Sequence, residues 1–388
     1  MNQSFGYGQL TGSPEPFIDT NTFAPPPELT PEMQQRLKDP FENPTEYHDY
    51  SDDYSKVIPW LRQPEYKISL DPARVEKQML KRYYSIGAAC LLLNFLFVYL
   101  SGFPIIYIIK FILGKMSPSA SGEDITAYLT QSSIVVSLNM MLFLTANVVV
   151  SKIGLRWAKI KQPVLAKPKG FSLRYAVQYC FIGLAIWSIS TILALLASSL
   201  FDSIGFSTAA PDIDSNIVSP LGIVITNLYG CIIAPITEEI FYRGMVMKVF
   251  SKANQRFAVF MSAFFFGLGH GNITQFILAF LAGLFFAHID MKHNSILPSI
   301  IVHIFINTFV AVSQLTYSSM AAYGVWFIFT LGGSIIGLFL LYIFRKKDRI
   351  PATTPAQSRR GIAVAKTSVL FVTAVVVLFA YMVSNTIF

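Results

Sequence analysis

Residues 84–113 read YSIGAACLLLNFLFVYLSGFPIIYIIKFIL, thirty positions with a single charged side chain, Lys110. About 20 apolar residues carry a helix across the hydrocarbon core of a bilayer, so this run alone argues for a chain built in lipid. Comparable runs lie near 131–151, 174–200, 217–236, 256–270, 273–290, 296–317, 320–344 and 363–385. The expected fold is all-α, a polytopic membrane bundle of eight to nine transmembrane helices. The run at 256–270 is the shortest and ends in Gly267-Leu268-Gly269-His270-Gly271-Asn272. Those glycines read as close helix approach or a helix end, not as a nucleotide fingerprint, because no strand precedes them.

Composition agrees. The 388 residues are 53% hydrophobic and 13% charged, with mean hydropathy +0.51, whereas an ordinary soluble domain carries about 25% charge. The net charge of +8 does not point to nucleic acid, since the basic residues stand between apolar runs rather than on one face of a soluble fold. Cys90, Cys180 and Cys231 each lie inside an apolar run, which excludes a disulfide framework or zinc ribbon.

Residues 1–80 are a different material. They hold 13 acidic against 7 basic residues and 11 of the 21 prolines, with too little apolar surface to offset the entropy of ordering. A disordered acidic, Pro-rich tail is expected there, its partner unknown, followed by a membrane domain over 81–388. The tail lacks the features of a cleavable signal peptide, so the first span is read as an uncleaved anchor.

Basic residues crowd two links: Lys152 to Arg174, and Arg345 to Lys366. The link after the third span carries Asp202, Asp212 and Asp214 and no Lys or Arg. The positive-inside rule places both basic links and the tail in the cytoplasm of a cell-membrane protein. Nine crossings satisfy all three constraints.

Ionisable groups at membrane depth cost at least ~2.5–3.5 kcal/mol each when charged, and are read first as functional. Here they are Glu238, Glu239, Arg243, His270 and His303, with Asn307 one turn beyond His303. His288, Asp290, Lys292 and His293 stand where a span ends and read as interfacial. On a regular helix Glu239 and Arg243 are four apart and pair, while Glu238 points about 100° away. The paired glutamate is the structural one, and Glu238 the candidate reagent. A simpler reading makes this a helix start after Pro235 with acids in its first turn. Counting ~1.5 Å per residue places Glu238, His270 and His303 roughly 20, 21 and 12 Å from the cytoplasmic ends of their segments. A carboxylate and an imidazole can hold and deprotonate a water, while a second imidazole and an amide stabilise an oxyanion. A thiol mechanism through Cys231 and a metal held by Glu238, His270 and His303 remain open, although no HExxH is present.

Glu238-Glu239-x-x-x-Arg243, Phe266-x-x-x-His270 and His303-x-x-x-Asn307 fall in this order on successive apolar segments. The pattern resembles the three motifs of the CAAX protease and bacteriocin-processing family of intramembrane glutamic endopeptidases, over roughly 217–320. The resemblance implies a helical bundle enclosing a cavity and a metal-independent hydrolase without cofactor. Glu238 and His270 would activate water, Glu239, Arg243 and Phe266 would support the site, and His303 and Asn307 would form the oxyanion hole. The implied substrate is a peptide or lipid-anchored protein at the membrane, of CAAX or bacteriocin type. Two alternatives use the same residues: a non-catalytic scaffold or bacteriocin-immunity protein, and a proton or solute path.

Overall fold

In the computed structural model the described residues are 72–119, 121–125, 133–160, 168, 170–206, 208, 220–344 and 362–387. The expectation of a disordered tail over 1–71, part of the first basic link and most of the second lie outside them. The long elements are all helical: α1 (Pro72–Met116), α2 (Ser133–Trp157), α3 (Leu173–Ser203), a rod α4 (Pro220–Ser251), α5 (Gln255–Gly269), α6 (Ile273–His293), α7 (Leu297–Thr316), α8 (Met320–Phe344) and α9 (Val369–Ile387). Helix is the state lipid imposes, because every backbone N–H and C=O in an apolar run must be satisfied within its own segment. The protein is a multi-pass membrane protein.

Eight of these helices are long and apolar enough to cross a membrane. The short run, α5, is the one expected span not among them. With 15 residues, α5 extends about 22 Å, short of the ~30 Å hydrocarbon core. Two residues past its end stands Gly271, whose φ of +74° favours glycine and reverses the chain. Helix α5 then packs back along α6, and His270 sits at the tip of this hairpin. The tail boundary also moves, since α1 begins at Pro72, inside the stretch assigned to the tail.

The second correction concerns Pro235. It does not start a helix; it lies within the rod, which runs unbroken from Pro220 to Ser251. Proline lacks the N–H that would bond four residues back, and the rod adapts just before it. Residues Tyr229–Ile233 form a π-helical turn in which the Ala234 N–H reaches back to the Tyr229 carbonyl. A second π-helical segment covers Tyr242–Met247. Each wide turn shifts the helical phase of the residues beyond it, a device concentrated at functional sites. The two acids therefore stand in mid-span.

Two apolar clusters support the rod. One joins α1, α4, α5 and α9, with Tyr84, Phe250, Phe265 and Phe371 at its centre. The other joins α3, α6 and α7 through Tyr179, Phe286 and Val302. Helices α3 and α8 pack closely at Gly333-x-x-x-Gly337. A Cβ on Gly337 would lie 2.0 Å from the Phe181 carbonyl oxygen, so only glycine permits that approach.

Candidate active site

The rod carries Glu238, Glu239 and Arg243 between the two clusters, and α5 and α7 bring the other motif residues to it. Glu239 and Arg243 are both wholly buried and pair through Oε1 and Nη1 at 3.1 Å. A buried charge must be matched or it is very costly, and this pair has further partners. The second guanidinium nitrogen, Nη2, donates to the Gly283 carbonyl on α6 at 3.2 Å. The guanidinium carbon lies 4.4 Å from the centre of the Phe266 ring and 5.4 Å from that of Phe286, both cation–π contacts in a desolvated setting. Gly283 is required here, because a Cβ would come within 2.9 Å of Arg243 Nη2.

His303 completes the group from α7. Its Nδ1 is 2.9 Å from Glu239 Oε1, the same oxygen that Arg243 contacts. A carboxylate held by a guanidinium is an acceptor only, so His303 Nδ1 carries the proton. The other ring nitrogen, Nε2, is 3.8 Å from Glu238 Oε2. Glu238 differs from its neighbour in exposure: a quarter of its side chain is accessible, against none of Glu239. Phe266 and Phe286 flank the imidazole at 5.7 and 5.1 Å between ring centres.

His270 and Asn307 reach the edge of this group. His270 Nδ1 lies 2.8 Å from the Phe266 carbonyl one turn back, and its ring meets Phe266 edge-on at 4.9 Å. Among the described residues no hydrogen bond or ion pair joins His270 to Glu238 directly. Asn307 Nδ2 donates to the Gly230 carbonyl inside the first π turn at 2.8 Å, so α7 is tied to the rod on both sides of Pro235. Among the described residues no group of three or more His, Cys, Asp or Glu side chains is placed to hold a metal ion.

Sequence reasoning missed two contributors. Phe286, which the sequence shows only as one residue of the apolar run 273–290, flanks both Arg243 and His303. Asp290, read as interfacial with His293, is fully buried, and His293 nearly so. Asp290 Oδ1 accepts the backbone N–H of Ser299 at 3.0 Å, while its carbonyl accepts the N–H of Ser295. It thereby caps the start of α7, four residues before His303. A carboxylate ahead of a helical motif, across a turn at Asn294, was the available signal.

Residues 220–309 match the model of the type II CAAX prenyl endopeptidase Rce1-like family. All seven motif residues fall inside that stretch. Over it, the chain is similar to the Rce1-like family. The Rce1-like segment is less than a quarter of the chain and includes the whole rod, α5, α6 and most of α7. The chain is also 32% identical over 97 residues to "Putative membrane peptidase YdiL" of Bacillus subtilis (strain 168). That match covers 25% of this chain and 38% of the relative, so the chain spans well under half of its length. No solved structure matches.

Proposed function

We propose that this protein is a multi-pass membrane endopeptidase that hydrolyses a peptide bond with an activated water. Glu238, aided by His270, takes a proton from the water as its oxygen attacks the scissile carbonyl. The tetrahedral oxyanion is met by Asn307 and by His303 in its imidazolium form, in which Nε2 also carries a proton while the Nδ1 proton stays directed at Glu239. An amide nitrogen carries two N–H groups, so Asn307 retains one after donating to Gly230. The proton then passes to the leaving amine as the C–N bond breaks. Glu239, Arg243 and Phe266 hold His303 and the rod in place.

One observation carries this reading: two adjacent glutamates have opposite environments. Glu239 is buried and bound to Arg243 and His303, while Glu238 is partly exposed and 3.8 Å from His303 Nε2. Titratable groups with divergent surroundings at one site are the mark of divided acid–base roles. The Rce1-like resemblance favours a peptide or lipid-anchored protein as substrate, of CAAX or bacteriocin type, and the charge of the loops favours a cell membrane with the N-terminal tail in the cytoplasm.

A binding role for the same residues draws support from His270 and Asn307, each hydrogen-bonded to a backbone carbonyl as in a structural contact. The test uses purified full-length protein in nanodiscs with two quenched fluorescent probes, a farnesylated CAAX peptide and an unmodified leader peptide. Cleavage of either that is lost in Glu238→Gln supports the enzyme. Equal binding by both proteins with no cleavage supports the scaffold or immunity role instead.

A further inference from the structure

On the face of α6 opposite the glutamates lies a cavity. It measures about 470 Å³ between α3, α6 and α8 and is walled almost wholly by apolar side chains. Helix α6 lines it with a stripe through Leu281, Phe285 and His288, and α3 and α8 close it with Ile189 and Leu341. The next position on this stripe, four residues past His288, is Lys292 at the end of the helix. Tyr179 and Phe344 line the cavity and also flank Lys292, its Nζ 5.9 Å from each ring centre and 5.0 Å from that of Tyr175. The same Nζ donates to the Tyr179 hydroxyl at 3.3 Å. The rings and the phenol orient the ammonium at the end of the groove.

We infer that this groove holds one acyl chain of an anionic phospholipid, its phosphate at Lys292. Length agrees with the inference. From Leu281 to Lys292 the helix advances about 16 Å, close to half of a ~30 Å hydrocarbon core, which is the depth of one leaflet's chains. Charge agrees as well. Arg174 precedes Tyr175, and Arg345, Lys346 and Lys347 follow Phe344, so the mouth lies at the basic end of the bundle. With the orientation expected from the loops, that end faces the cytoplasmic leaflet, where anionic lipids attract juxtamembrane Lys and Arg. The inference is independent of any peptidase activity.

The test is native mass spectrometry of full-length protein exchanged with equimolar phosphatidylglycerol and phosphatidylcholine of identical chains. Wild type should retain phosphatidylglycerol about fivefold over phosphatidylcholine. Lys292→Gln should bring the ratio near unity, Lys292→Arg should keep it, and Ile189→Trp, which fills the groove, should lower retention of both lipids. If Lys292→Gln does not fold, raised salt in the exchange step should lower the wild-type ratio by screening the phosphate contact. No retained phospholipid, equal retention by wild type, an unchanged ratio in Lys292→Gln, or a wild-type ratio indifferent to salt would each overturn the inference.

Discussion

His303 donates from Nδ1 to Glu239 at 2.9 Å, and this bond turns its other nitrogen toward Glu238, 3.8 Å away. A single imidazole therefore links the buried carboxylate to the accessible one. Each ring nitrogen has a different duty, and the two can be separated by substitution.

His303→Asn places an amide near the position of Nδ1 and has nothing at Nε2. The variant should fold and melt within a few degrees of wild type but lose most turnover. His303→Ala removes the buried donor as well and should destabilise by about 1–3 kcal/mol, the cost of leaving a buried acceptor unpaired. Thermal unfolding in detergent beside a peptide-cleavage assay measures both. Equal melting losses in the two variants would show that the Nδ1 bond is not what holds α7.

The adjacent glutamates should behave oppositely. Glu238→Gln, partly exposed, should change stability by less than about 1 kcal/mol while lowering turnover by about 10²- to 10⁴-fold, the range for loss of a general base. Glu239→Gln leaves Arg243 buried without its counter-ion and should cost about 3–5 kcal/mol. A variant in which Glu238→Gln is the more destabilising of the two would invert the division of labour.

The Glu239–Arg243 pair also predicts a double-substitution outcome. Arg243→Met alone should cost about 3–5 kcal/mol, because it strands a buried carboxylate. Combining it with Glu239→Met should recover much of that loss, since apolar replacements of similar volume often match a buried pair. The recovery is read from melting temperatures of the two single variants and the double. Additive losses would show that the two side chains act independently.

Asp290 holds the start of α7, the helix that carries His303. Asp290→Asn retains an acceptor for the Ser299 N–H and should leave stability within about 0.5 kcal/mol of wild type, whereas Asp290→Ala should lose about 1–2 kcal/mol as the cap is removed. Hydrogen exchange in the first turn of α7, around Ser299, should quicken in the alanine variant alone. Unchanged exchange there would leave Asp290 without a role in seating the helix.

The membrane class of this chain was legible in its sequence, because a run such as 84–113 has only one way to satisfy its backbone in lipid. So were the residue types of the candidate site, since Glu238, Glu239, Arg243, His270 and His303 stand out wherever apolar neighbours make charge costly. The pairing of Glu239 with Arg243 was legible too, being a four-residue helical spacing. Tertiary structure decided the rest. Spacing alone does not say which way a helix faces, and the π turn before Pro235 alters the phase on which such counts depend. Packing alone buried Glu239, exposed Glu238 and turned His303 between them. The burial of Asp290 came from the turn joining α6 to α7, and the count of eight candidate spans from a chain reversal at Gly271 that ends α5 early. Local composition determines that a segment enters the membrane; rotation and depth are settled only where several helices must fill the same space.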